Sequence, residues 1–203
     1  MQFNVNKGRI AVKVDMPKEV VTDSGIIIPI EQGHGYGGAK NYNAQRYAPT
    51  HGVVDAVANE EKHFKKGDLV FFHYNTEQTL KQIGGVYEDA DDKWFLMQTE
   101  KIVLIKRGDQ LLPTEGWIIC RPVSAKQEKT EGGIFIPESA QKKYHDNKFV
   151  VVAVPEGYDE VAVGDTILTE KDCDRPIESN ELFGELDYDL FKVETKDILA
   201  ILP

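Results

Sequence analysis

Positions 132–137 of this 203-residue sequence read GGIFIP, and positions 24–29 read SGIIIP. In both segments three apolar residues lie between a glycine and a proline. The residues before the second copy, positions 124–131, read SAKQEKTE, which has no hydrophobic periodicity and is typical of a mobile loop. One such triplet could be a core strand or a surface that binds another protein. Two copies in one chain indicate a shared explanation.

The two copies belong to a longer internal repeat, in which five segments of each half match in the same order. The shift between matching segments is 108 positions for the first two pairs, 97 for the next two and 96 for the last. The drop of 11 places an insertion in the first loop, at about residues 31–51. The matching pairs are GRIAVK (8–13) with GWIICR (116–121), GIIIP (25–29) with GIFIP (133–137), GVVDAV (52–57) with FVVVAV (149–154), KGD (66–68) with VGD (163–165), and EKIVLI (100–105) with KDILAI (196–201).

Each half contains five or six short apolar segments separated by turn signals. Ile10, Val12 and Val14, for example, alternate with other residues as in a half-buried strand. This pattern predicts an all-β fold, with a small β-barrel or sandwich in each half. A helix is expected only in short pieces, and residues 138–144 are the best candidate. The polar turn at residues 106–110 predicts a boundary between a domain at 1–107, which carries the loop insertion, and a domain at 111–203.

The composition excludes several functional classes. A net charge of -10 argues against a protein that binds a nucleic-acid backbone, which needs a basic face. No apolar run approaches the roughly 20 residues that span a bilayer, and the first residues lack the apolar region of a signal peptide. We therefore expect neither a nucleic-acid nor a membrane partner, and a cytoplasmic location.

Catalytic and metal sites have no support in the sequence. The five histidines lack metal-ligand spacing, and Cys120 and Cys173 are far apart, so reduced thiols are expected. The acidic run at positions 88–92 lacks the glycine and terminal glutamate of a calcium loop, and it reads as a solvated hairpin tip. We expect no enzyme activity, no metal and no cofactor.

The order of these motifs resembles that of the GroES-type co-chaperonins, the small lid subunits of chaperonins, over nearly the whole chain, twice. In the second repeat the resemblance begins with Pro113 and continues through a set of short motifs in family order. These motifs are WIICR (117–121), a polar loop, GGIFIP (132–137), VGDTIL (163–168) and KDILAIL (196–202). The resemblance implies two tandem GroES-like β-barrels in one chain and a homo-oligomeric ring that forms a lid.

The resemblance also implies the binding residues. In that family an apolar triplet on a mobile loop docks into a groove between two helices of the apical domain of an ATP-bound, GroEL-type chaperonin. Here the implied chaperonin-binding residues are Ile134, Phe135 and Ile136 in the second repeat and Ile26, Ile27 and Ile28 in the first. The implied hinges of the loops are Gly132, Gly133 and Gly25. The first copy has a single glycine and is followed by the long insertion, so we expect it to be the weaker of the two.

The family's barrel carries a roof hairpin before its Gly-Asp turn, and this chain has room only for short segments there. Residues 59–65 occupy that position in the first repeat and residues 155–160 in the second. Neither is long enough for a useful hairpin. We therefore expect that the roof hairpins are lost and that the ring has an open top.

Two alternatives stay open beside co-chaperonin function. One is a GroES-fold structural or assembly protein that does not bind a chaperonin. The other is an enzyme domain, since zinc-dependent alcohol dehydrogenases contain a related barrel. The chain has neither their cysteine ligands nor a nucleotide-binding domain, which argues against the enzyme.

Overall fold

The computed structural model describes residues 3–15, 19–21, 27–29, 48–59, 61–90, 92–125, 144–177, 180–183 and 188–203. The chain divides into two compact units, Met1–Ile105 and Lys106–Pro203. Antiparallel strands dominate both units, so the all-β fold class predicted from the sequence is confirmed. No helix in the described part of the chain is long and apolar enough to cross a membrane.

The first unit is built on one antiparallel sheet with a separate two-stranded sheet. Its elements are β1 Arg9–Val14, β2 Glu19–Val21, β3 Ile27–Pro29, β4 His51–Val57, β5 Leu69–Phe72, α1 Thr76–Gln82, β6 Val86–Asp89, β7 Asp92–Gln98 and β8 Ile102–Arg107. The main sheet has the strand order β6-β7-β1-β4-β5-β8-β9, in which β9 is Gln110–Pro113, and β2 pairs with β3. In β1 the residues Ile10, Val12 and Val14 are buried, as the alternation predicts, but Ala11 between them is buried too, so the strand is more enclosed than expected.

The second unit has a similar antiparallel sheet. Its elements are β9 Gln110–Pro113, β10 Trp117–Ser124, β11 Tyr144–Ala153, β12 Thr166–Thr169, β13 Arg175–Pro176, β14 Phe191–Glu194 and β15 Ile198–Leu202. The sheet has the strand order β13-β14-β10-β11-β12-β15. Lys106 and Arg107, at the end of β8, lead through a turn at Gly108 into β9, which runs beside them as a hairpin partner.

The two units share their strand pairings residue for residue. Arg9 lies opposite Gln98 in the first unit, and the matching positions of the repeat, Trp117 and Glu194, lie opposite each other in the second. A register shift follows Ala11 in β1 and the matching Ile119 in β10. The other matching pairs are Ala11–Ala56 with Ile119–Ala153, Val12–Val54 with Cys120–Val151, Lys13–Val53 with Arg121–Val150, and Gly52–Val70 with Phe149–Ile167.

The Gly-Asp turn before β5 and β12 is also built alike in both units. Gly67 has a φ of 92° and Gly164 a φ of 97°, a backbone conformation that glycine adopts without a steric penalty. The carboxylates of Asp68 and Asp165 each accept a hydrogen bond from the backbone N–H three residues earlier, at 2.8 and 2.9 Å. The sequence repeat therefore corresponds to one shared strand arrangement.

The short connections before these turns pack against the cores of their own units. Neither residues 59–65 nor 155–160 contain a strand within their described positions. Phe64 lies near the end of the first connection, and the matching Val161 directly follows the second. Both side chains are 5% exposed. Because these apolar side chains are buried, the connections pack against their units, and no roof hairpin is formed in the described residues.

The prediction about helix position needs correction. Residues 138–143 lie outside the described residues, but Tyr144 is the first residue of strand β11, so the candidate helix does not include it. The α-helix in the described chain is α1, which the sequence analysis did not predict. Its only buried apolar side chain is Leu80, so it has no 3.6-residue hydrophobic period to detect.

Local capping explains why α1 ends where it does. The N–H of Gly85 donates to the carbonyl of Leu80 at 2.8 Å, and the N–H of Gly84 donates to that of Lys81 at 3.4 Å. Gly84 has a φ of 70°. This is the Schellman arrangement, in which a glycine in the left-handed region closes the helix.

Ion pairs fasten α1 to the β6–β7 hairpin. The Lys93 ammonium, whose side chain is 7% exposed, lies 2.7 Å from the Glu77 carboxylate and 3.0 Å from that of Glu88. Lys81 also contacts Glu77 at 2.8 Å. Burial alone would raise the pKa of Glu77, but the hydrogen bonds from Lys81 and Lys93 outweigh it and leave the pKa below its ordinary value.

Replacing Glu77 by glutamine is expected to lower the free energy of unfolding by about 1–3 kcal/mol at neutral pH, because buried Lys93 loses a charged partner. A carboxyl with a depressed folded-state pKa stabilises the fold above its unfolded pKa, and this contribution is lost as the pH falls through the folded value. The wild-type protein should therefore lose stability below about pH 4.5 more steeply than the E77Q variant. Urea unfolding at a series of pH values measures both effects.

Lys196→Ala is the control, because the Lys196–Glu194 pair at 2.6 Å is on the surface. Surface pairs contribute little, so no measurable change is expected. If the free energy of unfolding falls equally steeply with decreasing pH in the wild-type protein and in the E77Q variant, the role assigned to Glu77 is wrong.

Candidate docking site

Most of the predicted docking residues lie outside the described residues. These are Ile26, Ile134, Phe135 and Ile136, together with the hinges Gly25, Gly132 and Gly133. Ile27 and Ile28 are described, and they lie in β3. Their docking role stays a prediction.

Strand β3 pairs with β2 in an antiparallel two-stranded sheet. Val20 lies opposite Ile28, and Val21 lies opposite Ile27. Such a sheet is marginally stable by itself in water. The first triplet thus has two residues in a strand, where the sequence had indicated a loop that displays all three.

Both predicted docking segments leave their sheets from matching pairs of strands. In the second unit Ser124, the last residue of β10, lies opposite Tyr144, the first residue of β11. In the first unit the pairing of β1 with β4 reaches Lys13 and Val53. Each segment therefore connects two adjacent antiparallel strands, which hold its ends close together.

We call the two strands that flank each docking segment its stem. In each stem one cation lies over an aromatic ring. The Lys13 ammonium lies 5.7 Å from the centre of the Trp94 ring, and the guanidinium of Arg121, its match in the repeat, lies 5.4 Å from the Tyr188 ring. Lys13 also forms an ion pair with Asp92 at 2.7 Å. Exposed cation–π contacts contribute about 0.5–1 kcal/mol, so they help to fix the stem strands. The sequence analysis did not identify these residues, since the aromatic partners lie far away in the chain.

The stems differ at the position after the first loop. Gly52 in β4 matches Phe149 in β11, which is 1% exposed in the core of the second unit. A Cβ atom at Gly52 would lie 2.6 Å from both the Lys13 carbonyl oxygen and Cγ1 of Val12. Because such distances are sterically forbidden, glycine is what allows β4 to approach β1 here.

Gly52→Ala is expected to destabilise the first unit by about 1–3 kcal/mol, because the backbone carbonyl of Lys13 cannot move without disturbing the ladder. Thermal unfolding followed by the fluorescence of Trp94 in a Trp117→Phe background measures the change. Val53→Ala is the matched control at the next residue, where the side chain is 46% exposed, and a change within about 0.5 kcal/mol is expected there. A G52A variant as stable as the control would show that β4 can retreat from β1 freely.

Strand β15 is a feature whose exposure the sequence did not indicate. Its residues ILAIL read as a buried strand, yet Leu199 is 59% exposed and Ile201 47% exposed. An apolar run looks the same in sequence whether the chain itself or another molecule covers it. Only the structure shows that these side chains lie on the surface.

Metal ligands and reactive thiols are the remaining groups to consider in the described residues. No three His, Cys, Asp or Glu side chains among them lie together as a metal site would require. Both cysteines are free thiols, and burial raises the pKa of Cys120 and of Cys173, which keeps them protonated at neutral pH. A thiol held in this form is a poor nucleophile.

The comparisons with known proteins agree with the architecture of the second unit. Residues 110–202 match the family model described as Chaperonin 10 Kd subunit. A comparison with curated proteins finds no significant match. The matched range begins at β9 and ends in β15, so it includes the whole sheet of the second unit. The second unit is therefore similar to the chaperonin 10 subunits over its whole sheet.

Proposed function

We propose that this chain is a non-enzymatic co-chaperonin, with two GroES-like domains in tandem, that caps a GroEL-type chaperonin and assists ATP-dependent protein folding in the cytoplasm. The family match over residues 110–202 is the observation that carries this proposal. Chaperonin 10 subunits are not an enzyme family, in keeping with the lack of a catalytic constellation in the sequence.

The shared strand arrangement supports a second GroES-like domain in the first unit. Its sheet repeats the register of the matched unit, the register shift after Ala11 and the Gly-Asp turn. Unrelated small sheets have no reason to agree in pairing, irregularity and turn at once. We infer that residues 1–107 form a GroES-like domain whose sequence has diverged, with the insertion at about residues 31–51 in its docking segment.

The apolar triplets suit reversible docking. Burying one aliphatic or aromatic side chain contributes roughly 1.5–3 kcal/mol, so Ile134, Phe135 and Ile136 together could contribute several kcal/mol. Ordering a flexible segment on binding takes back a few kcal/mol. A single contact is therefore weak, and several copies on one homo-oligomeric ring bind tightly through multivalency. A lid that must leave in each ATP cycle needs this balance.

The short connections before the Gly-Asp turns give the proposed ring its shape. Since Phe64 and Val161 are buried, these connections do not extend from their units. We propose that the ring lacks a roof and leaves its top open. This would enlarge the space available to a substrate protein beneath the lid.

Capture by a chaperonin tests the proposal. The tagged full chain is incubated with a GroEL-type chaperonin, with ATP, with ADP or without nucleotide, and native mass spectrometry gives the mass of the complex. We expect a complex in ATP that contains a closed oligomer of this chain, together with slower ATP turnover by the chaperonin. No complex and unchanged turnover in ATP would refute co-chaperonin function.

The pairing of β2 with β3 favours one alternative. Ile27 and Ile28 take part in a strand, whereas the family's docking triplet is expected on a loop. A GroES-fold assembly protein that does not bind a chaperonin would have this property. It would form a stable oligomer or join another assembly while leaving the ATP turnover of the chaperonin unchanged.

A further inference from the structure

The side chain of Trp94 lies on the face of the first sheet opposite to Phe95. The two residues are consecutive in β7, and consecutive side chains of a strand point to opposite faces. The centre of the Trp94 ring lies 5.5 Å from that of the Phe3 ring and 5.9 Å from that of the Tyr87 ring. Its Nε1–H donates to the Asp55 carboxylate at 3.1 Å, and Trp94 is 5% exposed. The first unit therefore fills this place with an indole ring of its own.

The matching positions of the second unit carry aliphatic side chains. The shift of 96 positions that relates β7 to β14 places Leu190 at the position of Trp94. The same shift relates Asp92 to Tyr188, and each of these side chains contacts the cation of its stem. The other matches are Leu111 for Phe3, at a shift of 108, and Val152 for Asp55, at a shift of 97. At these positions the second unit thus lacks the two rings and the carboxylate.

An open cavity of about 310 Å³ lies at these positions of the second unit. Leu111, Val152 and Leu190 are three of its lining residues, and Phe183 and Tyr188 are two more. Leu190 is fully buried and the other four are half-buried, so the cavity has an enclosed floor and walls that reach the surface. A cavity of about 150 Å³ can hold benzene, so this one has room for the two fused rings of an indole. The second unit has a space where the first unit has a ring.

Two charged residues of opposite sign, Lys106 and Asp109, also line the cavity. The Lys106 ammonium already donates to the Gly108 carbonyl at 2.9 Å, and Asp109 is exposed. Small-molecule sites orient their ligand with a few precisely placed polar groups, whereas protein interfaces anchor aromatic side chains in apolar pockets. The lining therefore suits a ring that a polypeptide presents, and Phe183 and Tyr188 provide aromatic rings against which it can pack.

We propose that this cavity, which we call the second-unit pocket, binds a tryptophan side chain of a partner polypeptide. The first unit provides the template, because Trp94 occupies the matching place there and is packed by residues that match the lining of the pocket. The pocket includes none of the residues of the apolar triplets, so the proposal goes beyond co-chaperonin function and does not depend on it. The chain would thereby have a second kind of binding surface.

Nuclear magnetic resonance of the full chain, labelled at its leucine and valine methyl groups, tests the pocket directly. The probe is N-acetyl-tryptophanamide, which presents the side chain between two peptide groups as a polypeptide does. We expect the methyl signals of Leu111, Val152 and Leu190 to shift as the ring approaches them and to saturate, with a Kd on the order of 1 mM for so small a ligand. N-acetyl-leucinamide, an apolar control without a ring, should bind at least about tenfold more weakly.

Val152→Asp places a carboxylate at the position from which Asp55 accepts the indole N–H in the first unit. The comparison probe is N-acetyl-naphthylalaninamide, which has two fused rings but no N–H. In the V152D variant the affinity for the tryptophan probe, relative to that for the comparison probe, should rise about tenfold. Val163→Asp is the matched control, because it adds the same charge at a 62% exposed position, and it should change neither affinity.

Leu190→Trp restores the ring of the first unit and is expected to abolish binding of both probes, because the new side chain fills the pocket. Circular dichroism verifies that each variant is folded. Should the L190W variant not fold, the affinity ratio of the V152D variant decides by itself, since Val152 is only half-buried.

The outcomes separate this inference from the proposed function. Methyl signals that stay unmoved at the highest soluble probe concentration overturn the proposal, and they would mean that the chain itself closes the pocket. Equal affinities for the tryptophan and leucine probes overturn it too, as does an unchanged ratio in the V152D variant. Free tryptophan that binds more than about tenfold tighter than the capped probe would indicate a small-molecule site instead of a polypeptide partner. A chain that binds the probe but captures no chaperonin keeps the pocket and refutes the co-chaperonin function.

Discussion

Replacing Ile134 and Phe135 together by aspartate is expected to weaken capture by a chaperonin in ATP by more than about a hundredfold. Each apolar side chain contributes roughly 1.5–3 kcal/mol on burial, and about 1.4 kcal/mol corresponds to a tenfold change in affinity. The variant also brings two charges into an apolar groove. Because the docking segments act together on a ring, the loss repeats in every chain. A pull-down at fixed chain concentration with increasing chaperonin measures it.

The matched variant in the first repeat is Ile27→Asp with Ile28→Asp. We expect a smaller loss of capture, because these residues lie in β3 and are followed by the insertion. The oligomer of each variant is checked by native mass spectrometry, so that a loss of ring assembly is not read as a loss of docking. Unchanged capture by the I134D/F135D ring would show that this triplet does not dock.

Phe95→Ala is expected to destabilise the first unit by about 3–5 kcal/mol, the largest stability effect that we predict. Phe95 is fully buried, lies opposite Val12 in the sheet and packs against Phe72 with 5.8 Å between ring centres. Removing the ring leaves a cavity in the centre of the core, and the surrounding strands cannot close it without breaking their ladder. Phe149→Ala is the counterpart in the second unit, where the ring lies 5.8 Å from that of Phe191.

The two tryptophans of the chain allow the units to be followed separately, since Trp94 is in the first and Trp117 in the second. In a Trp117→Phe background the F95A variant should shift the urea midpoint of the Trp94 signal, and in a Trp94→Phe background F149A should shift that of Trp117. Val163→Ala, at an exposed position, is the control and should shift neither. A Trp94 transition that does not respond to F95A would mean that this ring is not part of the first core.

The strands of both units could be predicted because their residues carry the signal locally. The alternation in β1, the apolar runs of β5 and β8 and the Gly-Asp turns depend on side-chain period and glycine conformation, which a sequence states directly. The structure shows that the repeat extends to the register, since Arg9–Gln98 and Trp117–Glu194 occupy matching positions. The apolar triplets were also identified from the sequence pattern, while their docking role comes from the family resemblance and stays a prediction.

Features that depend on contacts between residues far apart in the sequence could not be predicted in this way. Helix α1 has one buried apolar residue and is held by Lys93 from a strand, so nothing within its own residues predicts it strongly. Residues 27 and 28 were interpreted as part of a loop. Their partners in β2 are only two apolar residues between polar ones, and such a short run does not predict a strand. The role of Gly52 needs the position of the Lys13 carbonyl, which is 39 residues away in sequence.

The sequence by itself determined that this chain is all-β, that its halves repeat and where its apolar triplets lie, because strand period, turn glycines and internal matches are properties of order along the chain. Only the tertiary structure decided that β8 is buried while β15, with nearly the same residues, is exposed. Burial depends on which other segments reach a strand, and that is a property of the folded neighbourhood.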